Sequence, residues 1–278
     1  MILLPGNSGC SVSLIQSNNF SIIRKSTDDP DYITRLRQQC EKQKQHQEII
    51  EKSGAFVPDV ITFFENGKNA YFDMEYIKSR DMITYFKTCS KEKIDNIASV
   101  LIKIISTYID QSKNENIVKD FCAKTELVIH QIKENRTIDK KVMMKIEKKL
   151  RNIDEMILPV GFCHGDLTFS NVLMSNNEIH IIDMLDNFVE TPIQDMVKIR
   201  QDTKYAWSLQ KYVAKIDIIR LKIIFEYLDN KFHDFFSSFD FYKKHYNHFQ
   251  ILNIMRIYRY TKNKKTIDYL NSCLEGLI

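Results

Sequence analysis

The sequence predicts an α+β protein in which a small antiparallel sheet precedes a larger, mostly helical part. Three observations carry this. The 278 residues include only seven glycines, with none between 68 and 160 and none between 166 and 275, and long glycine-free stretches with 3.6-residue apolar periodicity read as helix. The first third instead holds short apolar runs separated by Asn, Ser and Gly turns. From Met82 onward the pattern is helical, interrupted by one strand–turn–strand segment near 172–182. The expected division is therefore a sheet-bearing lobe over residues 1–78, ending in a hinge, and a helical lobe over 79–278, a length that suits two lobes sharing a cleft.

The elements follow in order. Ile2–Leu4 is a short apolar strand, Pro5-Gly6-Asn7-Ser8-Gly9 a turn-rich loop, and Ser11–Gln16 a second strand. Ser17-Asn18-Asn19 turns the chain into a third strand, Phe20–Arg24, ending at Lys25. A Gly-Ser loop between paired strands can lay backbone N–H groups over a phosphate. Asp29-Pro30 reads as N-cap and first residue of a helix to about Lys52, with Ile33, Leu36 and Cys40 as its apolar stripe and Gly54 as its stop. Phe56–Phe64, interrupted by Pro58, and Asn69–Tyr76 are strands joined by the turn Asn66-Gly67-Lys68. Ile77-Lys78-Ser79-Arg80 leaves the sheet as a polar hinge, where free backbone groups suit an adenine edge. Helices are expected over 82–87, 90–110, 116–135 and 139–156.

Composition narrows the function classes. At 44% hydrophobic and 27% charged residues, the chain is an ordinary globular one. Its six cysteines form no C-x-x-C pair, which suggests neither a zinc site nor a disulfide framework and suits a reducing cytoplasm. Met1–Leu4 is too short for a signal peptide, and the apolar helices are broken by Ser and Lys, so no membrane insertion is expected. A net charge of +4, with basic residues interspersed among acids, argues against nucleic acid as partner. The sequence leaves the oligomeric state open.

The informative stretch is Phe162-Cys163-His164-Gly165-Asp166-Leu167-Thr168-Phe169-Ser170-Asn171, followed by an apolar strand, a turn and Ile181-Ile182-Asp183. Transfer of a phosphoryl group from a nucleotide needs one carboxylate for the proton of the attacking hydroxyl, and an amide and a second carboxylate for the metal ions that bridge the phosphates. Asp166 suits the first task and Asn171 and Asp183 the second. A hairpin between Asn171 and Asp183 brings the two ligands side by side. Asp, Asn and Gly are also common turn formers, but the joint pattern of H-G-D, Asn five residues on, strand, turn and I-I-D is far more specific than any one part.

This stretch resembles the aminoglycoside phosphotransferase and choline kinase family, small-molecule kinases with a protein-kinase-like, two-lobed fold. The resemblance implies ATP and Mg2+ as cofactors, Asp166 as catalytic residue, and Asn171 and Asp183 as metal ligands. It implies further that Ser8 and Gly9 lie in the phosphate-covering loop, that Lys25 holds the phosphates, and that Glu41 pairs with Lys25, with Glu48 as the other candidate. Met74-Glu75-Tyr76-Ile77 resembles the family hinge, which assigns Glu75 and Ile77 to the nucleotide. Thr191-Pro192-Ile193-Gln194-Asp195 resembles a segment whose Asp supports the catalytic loop, so Asp195 joins His164 in that role. Asp186 is a second candidate toward the metals or a turn stabiliser. Matching landmarks run from 5 to about 200, and the phosphate loop departs from the family in being short and poor in glycine.

Only seven residues separate Asp183 from Thr191, too few for the long activation loop that binds a peptide. A small hydroxyl compound is therefore the expected acceptor, with an atypical protein kinase as an alternative. Residues 200–278 carry 14 Lys and Arg against 8 Asp and Glu, and 113–151 carry 11 against 6. This balance favours a sugar or an amino alcohol over a polycationic aminoglycoside. Arg200 and Asp202 are candidate acceptor contacts, and Tyr205, Trp207, Tyr212 and Phe225 candidate aromatic ones. His245 and His248 read as surface residues, not metal ligands. A second class of function is a nucleotide-binding regulatory module without turnover, although such a module has no need of a proton acceptor at 166.

Overall fold

The computed structural model describes residues 1–4, 9–17, 20–135, 138, 140–211, 217–258, 260, 261 and 263–278, with the backbone alone at 133–135 and 211. In chain order the first elements are β1 (Ile2–Leu4), β2 (Ser11–Gln16), β3 (Ser21–Thr27), α1 (Pro30–Ser53), β4 (Val60–Glu65), β5 (Ala70–Glu75), β6 (Arg80–Asp81), α2 (Met82–Phe86) and α3 (Lys91–Gln111). There follow β7 (Lys113–Asn116), α4 (Val118–Asn135), α5 (Lys140–Arg151), β8 (Ile157–Val160), β9 (Val172–Ser175) and β10 (Glu178–Ile181). Four helices close the chain: α6 (Pro192–Thr203), α7 (Ile218–Phe236), α8 (Asp240–Tyr258) and α9 (Lys264–Glu275). The architecture is α+β, as the glycine distribution and apolar periodicity predict.

Contacts divide the chain into two compact units, Met1–Ile104 with His164–Asp186, and Ile105–Cys163 with Asn187–Ile278. This differs from the expected division at residue 78. The H-G-D hairpin joins the sheet-bearing unit because its backbone is bonded there. β9 pairs antiparallel with β6 as well as with β10. Phe56 bridges His180 in parallel, receiving the Ile181 amide at 2.7 Å and donating to the Ile179 carbonyl at 2.8 Å. Proline at 58 lacks an N–H and cannot continue a ladder, so the expected strand from Phe56 is shortened to begin at Val60.

The first unit is built on a five-stranded antiparallel sheet in the order β1-β2-β3-β5-β4. β3 runs through Lys25 to Thr27, not ending at Lys25, so Lys25 lies inside the ladder between Val12 on β2 and Phe72 on β5. α1 lies on this sheet through Ile33, Leu36 and Cys40 against Ala70, Phe72 and Met74. Burial of each such large side chain stabilises by about 1.5–3 kcal/mol. Both ends of α1 are as expected. The Asp29 side chain accepts from the Asp31 amide, Pro30 begins the helix, and Gly54 closes it in the left-handed region at φ 92°.

In the second unit α8 packs against α4, α5, α6 and α9, around buried Phe121, Phe249, Leu252 and Tyr258. β7 and β8 pair antiparallel, Lys113 opposite Val160 through Asn116 opposite Ile157. Neither has the alternation that marks a strand, and β7 ends where the expected helix over 116–135 begins. Among the described residues no helix is long and apolar enough to cross a membrane.

Candidate active site

The H-G-D loop is held by a histidine that uses both ring nitrogens. The Asp166 amide donates to His164 Nδ1 at 3.2 Å, and His164 Nε2 lies 2.9 Å from the Ile182 carbonyl. The proton therefore sits on Nε2, and the ring ties the loop to the residue preceding Asp183. His164 is fully buried. Burial, the largest influence, pushes its pKa down to about 4 despite the nearby Asp166 and Asp183, so the ring is neutral at physiological pH. Gly165 adopts φ 96°, a left-handed conformation that a side chain would strain.

Asn171 lies at the end of a short 3-10 turn, Phe169–Asn171, which Phe169 anchors edge-on to Phe86 of α2 at 5.4 Å. Its amide nitrogen donates to the Asp166 carbonyl at 2.8 Å and to Asp166 Oδ2 at 3.0 Å. With the nitrogen committed, the Asn171 side chain presents its oxygen as the remaining acceptor. The Ile182 amide donates to the Asn171 carbonyl at 3.0 Å. Asp166, Asn171 and Ile182, the residue before Asp183, are thus joined by direct bonds.

Asp183 has φ 64°, an unusual conformation for a residue with a side chain. Its Oδ1 is ion-paired with Lys25 Nζ, which is nearly fully buried and lies 5.7 Å from the Phe72 ring centre. Burial alone would raise the Asp183 pKa, but the charge and hydrogen bond of Lys25, helped by His164 and Arg35, hold it below its usual 3.8. The segment after it is strapped to α1. Arg35 Nε bonds Asp186 Oδ1 at 2.7 Å, and Lys42 Nζ bonds the Leu185 carbonyl at 2.6 Å. The Leu185 amide returns to the His164 carbonyl at 3.0 Å. Asp186 therefore engages Arg35.

The structure does not bring Glu41 or Glu48 to Lys25. Glu41 is exposed, and Glu48 is ion-paired with Lys52. A one-residue offset turns a helix position by about 100°, and the inner face of α1 instead carries Gln39, Lys42, Gln43 and His46. Sequence reasoning missed Arg35 and Lys42, although their seven-residue spacing on one face was a usable signal. His46 is buried near His164, and burial with the charges of Lys42 and His164 lowers its pKa to about 3.

The remaining expected residues are distributed as follows. Ser8 lies outside the described residues. Gly9 packs so closely on Tyr32 that a Cβ there would stand 2.7 Å from the ring, and its carbonyl accepts from Thr27 Oγ1 at 3.5 Å. Glu75 and Ile77 lie where β5 leaves the sheet; the Glu75 amide donates to Asp59 and the Ile77 carbonyl accepts from Ser79 Oγ. Asp195 is fully buried in the first turn of α6, in the second unit, near Tyr108.

Three of the candidate acceptor contacts, Arg200, Asp202 and Trp207, are engaged within the second unit. Arg200 is buried and makes a two-point pair with Asp229, Nε to Oδ1 at 2.9 Å and Nη2 to Oδ2 at 2.7 Å. Its Nη1 reaches Tyr242 Oη at 2.8 Å. Asp202 is fully buried and accepts the Ser208 amide at 2.7 Å, which holds the turn after α6. Trp207 packs on Tyr269 at 6.0 Å between ring centres. These contacts assign them structural work. Tyr212 lies outside the described residues. His245 is buried and His248 half-buried, not on the surface as expected; burial lowers both pKa values, that of His248 to about 4.

A lysine inside a five-stranded antiparallel sheet, an H-G-D loop and an Asp at the end of the following hairpin define the protein-kinase-like class of fold. Comparison with known structures agrees. The chain is similar to a thermostable mutant of aminoglycoside phosphotransferase APH(4)-Ia in ternary complex with AMP-PNP and hygromycin B, with TM-score 0.63, 8% identity, and coverage of 99% of this chain and 92% of that one. It is similar also to amicoumacin kinase hAmiN in complex with AMP-PNP, Ca2+ and Ami, with TM-score 0.60, 12% identity, and coverage of 99% and 87%. Macrolide 2'-phosphotransferase type I gives TM-score 0.56, 12% identity, and coverage of 98% and 90%. The RIO domain family model matches residues 109–190. No curated protein sequence matches the chain. The fold expected from the H-G-D stretch is thus the fold of the chain, shared with small-molecule phosphotransferases.

Proposed function

We propose that the chain is a phosphotransferase that moves the γ-phosphate of ATP, with Mg2+, to a hydroxyl group of a small molecule. The observation that carries this reading is Asn171 hydrogen-bonded to Asp166, the Ile182 amide on the Asn171 carbonyl one residue before Asp183, and Lys25 ion-paired to Asp183. Among the described residues no three His, Cys, Asp or Glu side chains gather as a self-contained metal site. Mg2+ commonly takes one or two protein oxygens and completes its shell with phosphate and water oxygens, and the Asn171 amide oxygen and the Asp183 carboxylate suit that demand. When bound, the cation neutralises charge on the phosphates.

The chain's own residues do the rest. Asp166 orients the acceptor hydroxyl and takes its proton as the oxygen attacks phosphorus. Neutral His164 and the Asn171 amide hold Asp166 in place. Lys25, near the phosphates, exchanges part of its contact with Asp183 for phosphate oxygens. Glu75 and Ile77 at the hinge are the proposed contacts for the base, and Ser8 and Gly9 for the phosphates. A sugar or amino alcohol remains the favoured acceptor class, on the charge balance.

The test is ADP formation from ATP and Mg2+ across a panel of sugars, amino alcohols and aminoglycosides, with Asp166→Asn as control. Turnover with one acceptor class and its loss in the variant support the proposal; equal turnover in both proteins contradicts it. A second reading is an atypical protein kinase. The RIO domain match, a protein-kinase-like one, favours it, and the seven residues between Asp183 and Thr191 argue against it. Label transfer to a protein acceptor in place of any small molecule decides for it.

A further inference from the structure

The second unit contains a cavity of about 360 Å³ whose floor is Arg200, Tyr242 and Tyr246 and whose rim carries Lys204, His233, Ser237, Lys243 and Asn247. We infer that this cavity binds a small, multiply charged anion of the phosphate type, between the C-terminal turns of α6 and α7 and the first half of α8. No role in the phosphotransfer set is assigned to any of these residues.

Charge and hydrogen-bonding capacity carry the inference. Arg200, Lys204 and Lys243 line the cavity, with Asp229 and Asp240 paired to the first and last of them and Asp234 near His233. Asp229 is spent on the two-point pair with Arg200 and on a 2.7 Å bond from Thr203 Oγ1. Asp240 pairs with Lys243 at 2.6 Å, but both are largely exposed, so that pair is weak and easily exchanged. Lys204 lies 5.5 Å from the Tyr205 ring centre, and among the described residues no ion pair joins it to a carboxylate. Arg200 Nη1 lies 3.0 Å from His233 Nδ1. Guanidinium only donates, so Nδ1 is the acceptor and Nε2 of His233 carries the proton. The lining is therefore rich in donors: ammonium groups, an imidazole N–H, an amide and hydroxyls.

The electrostatics of the rim agree. Burial first, then the Arg200 charge, lowers the pKa of both Lys204 and His233. The groups around His233 are Arg200, Asp229, Lys204, Asp234 and Tyr242, and the cations among them outweigh the acids in effect. A bound anion relieves that excess. The volume is at the lower end for small-molecule sites and accommodates a phosphate monoester or a pyrophosphate.

The probe is inorganic pyrophosphate, titrated into the full chain at constant ionic strength and read by histidine ring NMR, with His233 assigned through His233→Gln. The expected result is a saturable upward shift of the His233 pKa, with affinity weakened about tenfold or more by Lys204→Gln with Lys243→Gln. Both substitutions are on exposed side chains, so the fold is retained. Asp183→Asn is expected to leave the titration unchanged. Three results overturn the inference: no saturable shift at His233, an affinity unaltered in the double variant, or a shift that disappears in Asp183→Asn.

Discussion

Replacing Lys25 by methionine keeps the side-chain volume and removes the charge facing Asp183. Cutting one partner from a buried ion pair costs about 3–5 kcal/mol. Here Lys25 is nearly buried but the Asp183 side chain is 34% exposed, so solvent screening reduces the expected loss to about 2 kcal/mol. The loss has a signed pH dependence. In the native protein the Asp183 pKa lies below 3.8, so its contribution is present above that value and lost as pH falls through the folded pKa. Without Lys25, burial dominates and the Asp183 pKa moves upward; the variant then carries a penalty at neutral pH that fades on acidification. Urea unfolding of both proteins at pH 7 and pH 4.5 measures the difference. Histidine titration, common to both, cancels. The stability gap should be widest at pH 7 and narrower at pH 4.5. A gap of the same size at both, or none at pH 7, refutes the role given to the pair.

Three further outcomes are expected. Gly165→Ala, at φ 96°, should destabilise by about 1–2 kcal/mol and slow turnover by displacing Asp166, measured by thermal unfolding and steady-state kinetics. Arg200→Met strands the Asp229 carboxylate, whose side chain is only 15% exposed. It should cost about 3 kcal/mol, seen in denaturant unfolding, and Asp229→Asn in the same chain should recover part of it. His164 and His46, with pKa values lowered to about 4 and about 3, contribute stability that is full above 6.5 and declines as pH falls. Each removes up to about 1.4 kcal/mol per pH unit between that value and its lowered pKa, and His46→Gln should make the slope between pH 6 and pH 5 shallower.

What the sequence reveals depends on how local the determinant is. His164, Asp166 and Asn171 were readable because a loop and a 3-10 turn fix their spacing within eight residues, and Asp183 because a two-strand hairpin returns it beside Asn171. Lys25 was readable from the strand it occupies. The partner of Lys25 was not, since choosing Glu41 required the rotation of α1, and that is set by packing of Leu36 and Cys40 on the sheet. Arg200 and Asp202 look like surface polar residues in isolation. Asp229 lies 29 residues from Arg200, and the six-residue step from Asp202 to Ser208 gives no pattern. β7, reading Lys-Asn-Glu-Asn, becomes a strand only because β8 lies opposite it, more than forty residues later.

Asp166, Asn171, Asp183 and Lys25 are proposed to form one phosphotransfer site. The most direct measurement is transfer of γ-labelled phosphate from ATP to a hydroxyl acceptor by the native chain and by Asp166→Asn, with AMP-PNP affinity measured in parallel. The expected result is labelled product from the native protein, a decrease of about 10²–10⁴-fold in the variant, and nearly unchanged AMP-PNP affinity. Full transfer by Asp166→Asn contradicts it.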